Sequence, residues 1–129
     1  MILVDTSIWI DHLRQTNERL RRMLEQGRVL IHPYVIGEVA LGNLRNRDAI
    51  LNALQDLPQA AVATDVEVLR FVQQNTLHGI GIGYIDAHLL AAVRLSPGAT
   101  LWTADRRLLA AGQSLGLTER RFIEQRGAG

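Results

Sequence analysis

Apolar positions along the chain fall into two kinds of run. Ile2-Leu3-Val4, Val29-Leu30-Ile31 and Thr100-Leu101-Trp102 are short and unbroken, as strands buried on both faces are. Ala61-Val62-Ala63 is a fourth, weaker candidate. Between them the spacing is helical. Ile8, Trp9 and Leu13 mark one helix, and Leu20, Met23 and Leu24 a second beyond the polar break Gln15-Thr16-Asn17. Gly27 closes the second. Pro33 suits the first turn of a helix reaching about Leu44. Asp48 to Leu57 reads as another, ended by Pro58. Thr64 or Asp65 caps a helix through about Leu77. After the glycine-spaced segment Gly79-Ile80-Gly81-Ile82-Gly83, Tyr84 to Leu95 is helical and stops at Ser96-Pro97-Gly98. Asp105 opens a last helix, expected to stop at Gly112. Gly127-Ala128-Gly129 is expected to fray. The alternation of strands and helices predicts an α/β fold, a parallel sheet wrapped by helices.

Composition narrows this. At 129 residues and 47% apolar, the chain is expected to be one domain over 1–129. It has no cysteine, which excludes thiol catalysis and Cys-based metal sites. All 14 basic residues are arginine. Without lysine there is no Walker A loop and no Schiff base. A receiver domain, another α/β module of this size, is disfavoured for the same reason. No apolar run approaches the roughly 20 residues of a membrane span, and the start lacks a signal-peptide pattern. A cytoplasmic protein without membrane contact is expected.

Four of the 13 acids stand in unusual places. Asp5 directly follows the first strand run, and Asp105 closely follows the last. In parallel sheets the C-terminal strand ends converge on the ligand crevice. Each is also a plausible helix N-cap. Glu38 shares a helical face with Tyr34, Val35 and Leu41, and Asp86 with Leu89, Leu90 and Val93. Both faces are expected to turn to the core. A buried carboxylate requires an arginine partner, a hydrogen-bond network or a divalent cation.

These residues carry a resemblance. Ile2-Leu3-Val4-Asp5-Thr6-Ser7 resembles the opening of a PIN domain. Val35-Ile36-Gly37-Glu38-Val39-Ala40-Leu41-Gly42 is similar to its second motif, Gly83-Tyr84-Ile85-Asp86-Ala87-His88-Leu89-Leu90-Ala91-Ala92 to its third, and Leu101-Trp102-Thr103-Ala104-Asp105 to its fourth. Order, spacing and length resemble the VapC toxins of bacterial and archaeal toxin–antitoxin pairs. The resemblance implies a three-layer α/β/α domain, with a central parallel sheet and helices on both faces. It implies Asp5, Glu38, Asp86 and Asp105 as catalytic acids holding Mg²⁺ or Mn²⁺, supported by the hydroxyls of Thr6, Ser7 and Thr103. It also implies an RNA substrate, a cognate VapB-type antitoxin, and a homodimer or toxin–antitoxin hetero-oligomer. Many relatives carry a further acid just past the fourth motif acid. Arg106 and Arg107 stand there, leaving four acids and putting a second protein-held metal in doubt.

The chemistry agrees with such a site. An all-carboxylate donor set suits Mg²⁺ or Mn²⁺ rather than zinc. Arg106 and Arg107, at an expected helix N-terminus, are candidates for RNA phosphate, with Arg14, Arg45 and Arg47 further candidates. Trp9 and Trp102 are expected in the core. His88 is expected to point away from Asp86 and not to be a ligand. Net charge is +1, but without the four site acids the balance is +5, a negative pocket in a positive body. Two other readings stay open. One is an inactive PIN-like binding scaffold, the other a metal-dependent DNA nuclease or phosphatase.

Overall fold

The computed structural model describes residues 1–119, so the expected fraying at 127–129 lies outside the described residues. Its centre is β1 (Ile2–Val4), flanked in parallel by β2 (Val29–Leu30) and β3 (Thr100–Trp102) in the order β2-β1-β3. The register pairs Leu3 with both Leu30 and Leu101, and Val4 with Trp102. Ile2, Leu3 and Val4 have no exposed surface at all. Successive strand residues point to opposite faces, so both faces of β1 are covered. The α/β reading holds.

Seven helices among the described residues supply the cover: α1 (Thr6–Arg14), α2 (Glu18–Glu25), α3 (Pro33–Ala40), α4 (Arg47–Gln55), α5 (Asp65–Gln74), α6 (Tyr84–Leu95) and α7 (Arg106–Ser114). Leu89, Leu90 and Ala92 of α6 are wholly buried, which makes α6 the most deeply set helix. Trp9 and Trp102 lie in the core as expected. α5 starts with a full capping box, in which Thr64 Oγ1 accepts from Glu67 N–H and Glu67 Oε1 accepts from Thr64 N–H.

Three boundaries differ from expectation. Ala61–Ala63 forms no strand, because the Ala61 N–H is taken by Ser96 Oγ at 3.0 Å. Only Gln59 bridges Ile31. α3 stops at Ala40 rather than Leu44, where the Arg47 guanidinium donates to the carbonyls of Ala40 and Gly42. That capping bond removes Arg47 from the phosphate-binding candidates. Finally, α7 runs through Gly112 to Ser114. Gly112 is a packing position: a Cβ there would stand 2.8 Å from Thr118 Cγ2. The positive φ that turns the chain belongs to Gly116, at +70°.

Candidate metal centre at the strand ends

The register of β1 and β3 builds the site. One step past the Val4–Trp102 pair come Asp5 and Thr103. Asp5 N–H donates to Trp102 C=O at 2.9 Å, and Thr103 Oγ1 donates to Asp5 Oδ2 at 2.7 Å. Ser7 Oγ donates to the same oxygen at 3.1 Å, while Thr6 N–H donates to Asp5 Oδ1 at 2.7 Å. Asp5 thus caps α1 and is locked by three donors while almost wholly buried. Thr103 Oγ1 also accepts from Asp105 N–H, and Ser7 Oγ from Ala104 N–H. The two strand ends are therefore one hydrogen-bonded unit.

Glu38 arrives from α3, which packs on α1. Its Oε1 accepts from Thr6 Oγ1 at 2.9 Å, the residue beside Asp5. The expected core-facing stripe around Glu38 is only partly right. Val35 is buried, but Tyr34 is exposed and Leu41 is 89% exposed. Glu38 is half-buried, on the side of α3 that meets Thr6 of α1. Asp86 does lie beside a buried stripe, since Leu89, Leu90 and Val93 are all inside. Its Oδ2 accepts from Gly83 N–H at 3.1 Å, across the first turn of α6. Asp105 is exposed and caps α7, its Oδ1 accepting from the N–H groups of Arg107 and Leu108.

Three of the four acids therefore sit at helix N-termini, where the helix dipole favours negative charge. That does not cancel their mutual repulsion. Burial pushes the Asp86 carboxyl above its ordinary range, and the fields of Asp5, Asp105 and Glu38 push it further. The Gly83 N–H pulls partly the other way. A proton or a cation must relieve that stress. Among the described residues, no three carboxylate or imidazole groups already stand in metal-clasping geometry. The donor set nevertheless suits a hard cation. Asp86 Oδ1, Glu38 Oε2 and Asp105 Oδ2 take no hydrogen bond among the described residues, so each acid beside Asp5 keeps an oxygen for a ligand.

The arginines separate. Arg107 lies against Gly81 and Arg106 is exposed. Arg14 and Arg45 lie elsewhere, on a groove of about 640 Å³ with Ile10, Leu13, Leu44 and Ile50. α1 carries Arg14 away from its N-cap at about 1.5 Å per residue, so Arg14 stands roughly 13 Å along the helix from Asp5.

The sequence reading missed a cluster built on two buried histidines, His32 and His88. His88 turns from the acids, as expected, and its Nε2 lies 3.1 Å from Asp65 Oδ1, which also accepts from Tyr84 Oη at 2.7 Å. The hydrogen bonds from Tyr84 and His88 hold the Asp65 carboxyl low, and the bond to Asp65 pushes the Tyr84 hydroxyl up to about 12. His32 packs edge-on to Tyr34 and His88. Its Nδ1 accepts from Tyr34 N–H at 3.0 Å, which leaves the proton on Nε2. The one sequence signal was its place directly before Pro33, the N-cap position of α3. Burial, with the neighbouring His88, lowers its pKa from 6.5 to about 4. The unfolded chain therefore takes up a proton first as pH falls. Stability from this group is complete above about pH 6.5 and is lost as pH drops toward 4. Between pH 7 and pH 5 the expected loss is about 2 kcal/mol. Urea unfolding at the two pH values measures it, and His32→Asn should flatten the difference.

A three-stranded parallel sheet wrapped by helices, with Asp5 and Asp105 just past two strand ends, defines the class. The PIN domain family model matches residues 2–113, and the chain belongs to that family. Among its relatives, Ribonuclease VapC32 of Mycobacterium tuberculosis is 50% identical over 111 residues, covering 86% of this chain and 90% of the relative. The same figures hold for strain CDC 1551 / Oshkosh and strain ATCC 25618 / H37Rv. No helix of the described residues is long and apolar enough to cross a membrane.

Proposed function

We propose that this chain is the toxin of a type II toxin–antitoxin pair. It is an endoribonuclease that hydrolyses RNA phosphodiester bonds with Mg²⁺ or Mn²⁺ held by Asp5, Glu38, Asp86 and Asp105. The observation that carries this reading is the Asp86 carboxyl, raised by burial and then by the charge of the other three acids. Asp86 feels the charge of all three other acids, as a shared negative pocket requires. The relatives, named as ribonucleases and 50% identical over 111 residues, favour RNA as the substrate.

When bound, a divalent cation lowers the pKa of a water and neutralises the scissile phosphate. The protein's own groups fix the geometry. Asp5 is held by Thr6, Ser7 and Thr103, so its carboxylate cannot rotate when the charge nearby changes. Thr6 holds Glu38 at a set distance from Asp5. Asp105 is the exposed acid, on the side from which a polymer approaches. Outer partners of metal ligands typically contribute about 10–100-fold to activity or affinity. Thr103→Val should therefore lower RNA cleavage about 10–100-fold, read as initial rate at saturating Mg²⁺.

The antitoxin fits the groove beside Arg14 and Arg45. Its apolar lining from α1 and the segment after α3 suits an apolar peptide, and the two arginines suit flanking acids. Cleavage of matched single-stranded RNA and DNA oligonucleotides, in Mg²⁺ and in EDTA, tests the activity. RNA alone should be cut, and only with metal. Equal cutting of DNA would favour the general nuclease reading, and cutting of neither would favour a binding scaffold.

A further inference from the structure

Gly81 and Arg107 come together in a way that the acids do not require. Gly81 has φ +84°, a conformation that suits glycine. A Cβ on it would stand 2.8 Å from both Cδ and Nη1 of Arg107, and 3.1 Å from Cζ. The exposed arginine side chain therefore passes close over a backbone that carries no side chain. The neighbouring left-handed glycine, Gly79 at φ +73°, has nothing within 4 Å of such a Cβ. The alternating glycines thus differ: one turns the loop, and the other turns it and seats an arginine.

The seat bridges two acids. Arg107 is in the first turn of α7, and its N–H is held by Asp105 Oδ1 at 2.9 Å. Gly81 is two residues before Gly83, whose N–H is held by Asp86 Oδ2. The guanidinium is laid from the Asp105 helix onto the loop that leads to Asp86. Among the described residues no carboxylate pairs with it, and no acceptor takes its N–H groups. An exposed fork of donors on the first turn after Asp105, taken by no acceptor among the described residues, suits a phosphate approaching the acids. Arg106 has no such seat.

Resting on the ribonuclease reading, we infer that Arg107 binds a backbone phosphate of the RNA next to the acid site, and that Gly81 is the positioning residue that fixes its guanidinium. The contact is to backbone, so it is independent of base sequence.

The test is binding of a fluorescein-labelled single-stranded RNA 20-mer of mixed sequence, by anisotropy, at several salt concentrations in Ca²⁺. The proteins are the full chain, Arg107→Ala, Gly81→Ala, Gly79→Ala and the Gly81→Ala/Arg107→Ala double variant. Arg107→Ala should weaken binding about tenfold and flatten the logarithmic salt slope by about 0.7, one phosphate contact on a single strand. Gly81→Ala should do nearly the same. The double variant should be no weaker than Arg107→Ala, because the seat matters only through its occupant. Gly79→Ala carries the same backbone strain without touching Arg107, and should bind like the full chain. The inference is overturned if Gly81→Ala binds with the full chain's affinity and slope, if Gly79→Ala loses as much, if the losses multiply in the double variant, or if the full chain does not bind the RNA. Failure of the full chain to cleave RNA in Mg²⁺, with these binding losses intact, would instead overturn only the nuclease reading.

Discussion

Asp5→Asn should lower RNA cleavage by at least about 100-fold while leaving the fold close to its original stability. The loss exceeds the 10–100-fold typical of an outer partner because the acid itself is the proposed ligand. Asparagine keeps the side-chain oxygen that caps α1, so Thr6 N–H stays satisfied. The Oδ2 acceptor for Ser7 and Thr103 is lost, which costs about 1–3 kcal/mol in isolation. Removing one of four crowded negative charges offsets part of that. The same variant should bring the Asp86 carboxyl down toward its ordinary range, since the Asp5 field is one of the charges that raise it. Carboxyl NMR of metal-free protein reads this directly. Undiminished cleavage, or an Asp86 titration that does not move, would show that these acids do not form one site.

Leu3→Ala should have the largest effect on stability, about 3–5 kcal/mol. Leu3 is wholly buried in the central strand, between Leu30 and Leu101 in register. Truncation there removes packing on a residue held on both sides, where the cavity cannot easily collapse. A domain of this size has about 5–15 kcal/mol in total, so the variant loses about a fifth of it or more. Thermal melting should fall by roughly 10–20 °C. Leu41→Ala is the contrast, since Leu41 is 89% exposed and should change stability by less than about 0.5 kcal/mol. Equal melting temperatures for the two would contradict the placement of the core.

Why Leu3 and Asp5 were legible from sequence is the same physics. An unbroken triplet of bulky apolar residues suits a strand covered on both faces, and the acid directly after such a strand emerges at its end. Asp105 followed by the same logic. Asp86 was legible because its helical neighbours at +3, +4 and +7 are all buried. Glu38 was found for a partly mistaken reason. Its stripe reads as core, whereas Tyr34 and Leu41 are exposed and the acid meets Thr6 of α1. One-dimensional spacing gives the face of a helix but not what stands opposite it. The same gap hid the His32–His88–Asp65 cluster, whose members come from α5, α6 and the residue before α3. It also hid the Gly81 notch, because nothing in a run of glycines says which one lies under a side chain from another helix. The ends of α3 and α7 depended on groups beyond each helix, the Arg47 guanidinium on the last carbonyls of α3 and the positive φ of Gly116 after α7.

The central claim is that Asp5, Glu38, Asp86 and Asp105 hold a divalent cation as a single site. Calorimetric titration of Mn²⁺ into the whole chain and into Asp5→Asn and Asp86→Asn tests it most directly. The expected result is saturable binding by the original chain, weakened at least tenfold in both variants. Unchanged affinity in both variants, or no binding by the original chain, would contradict it.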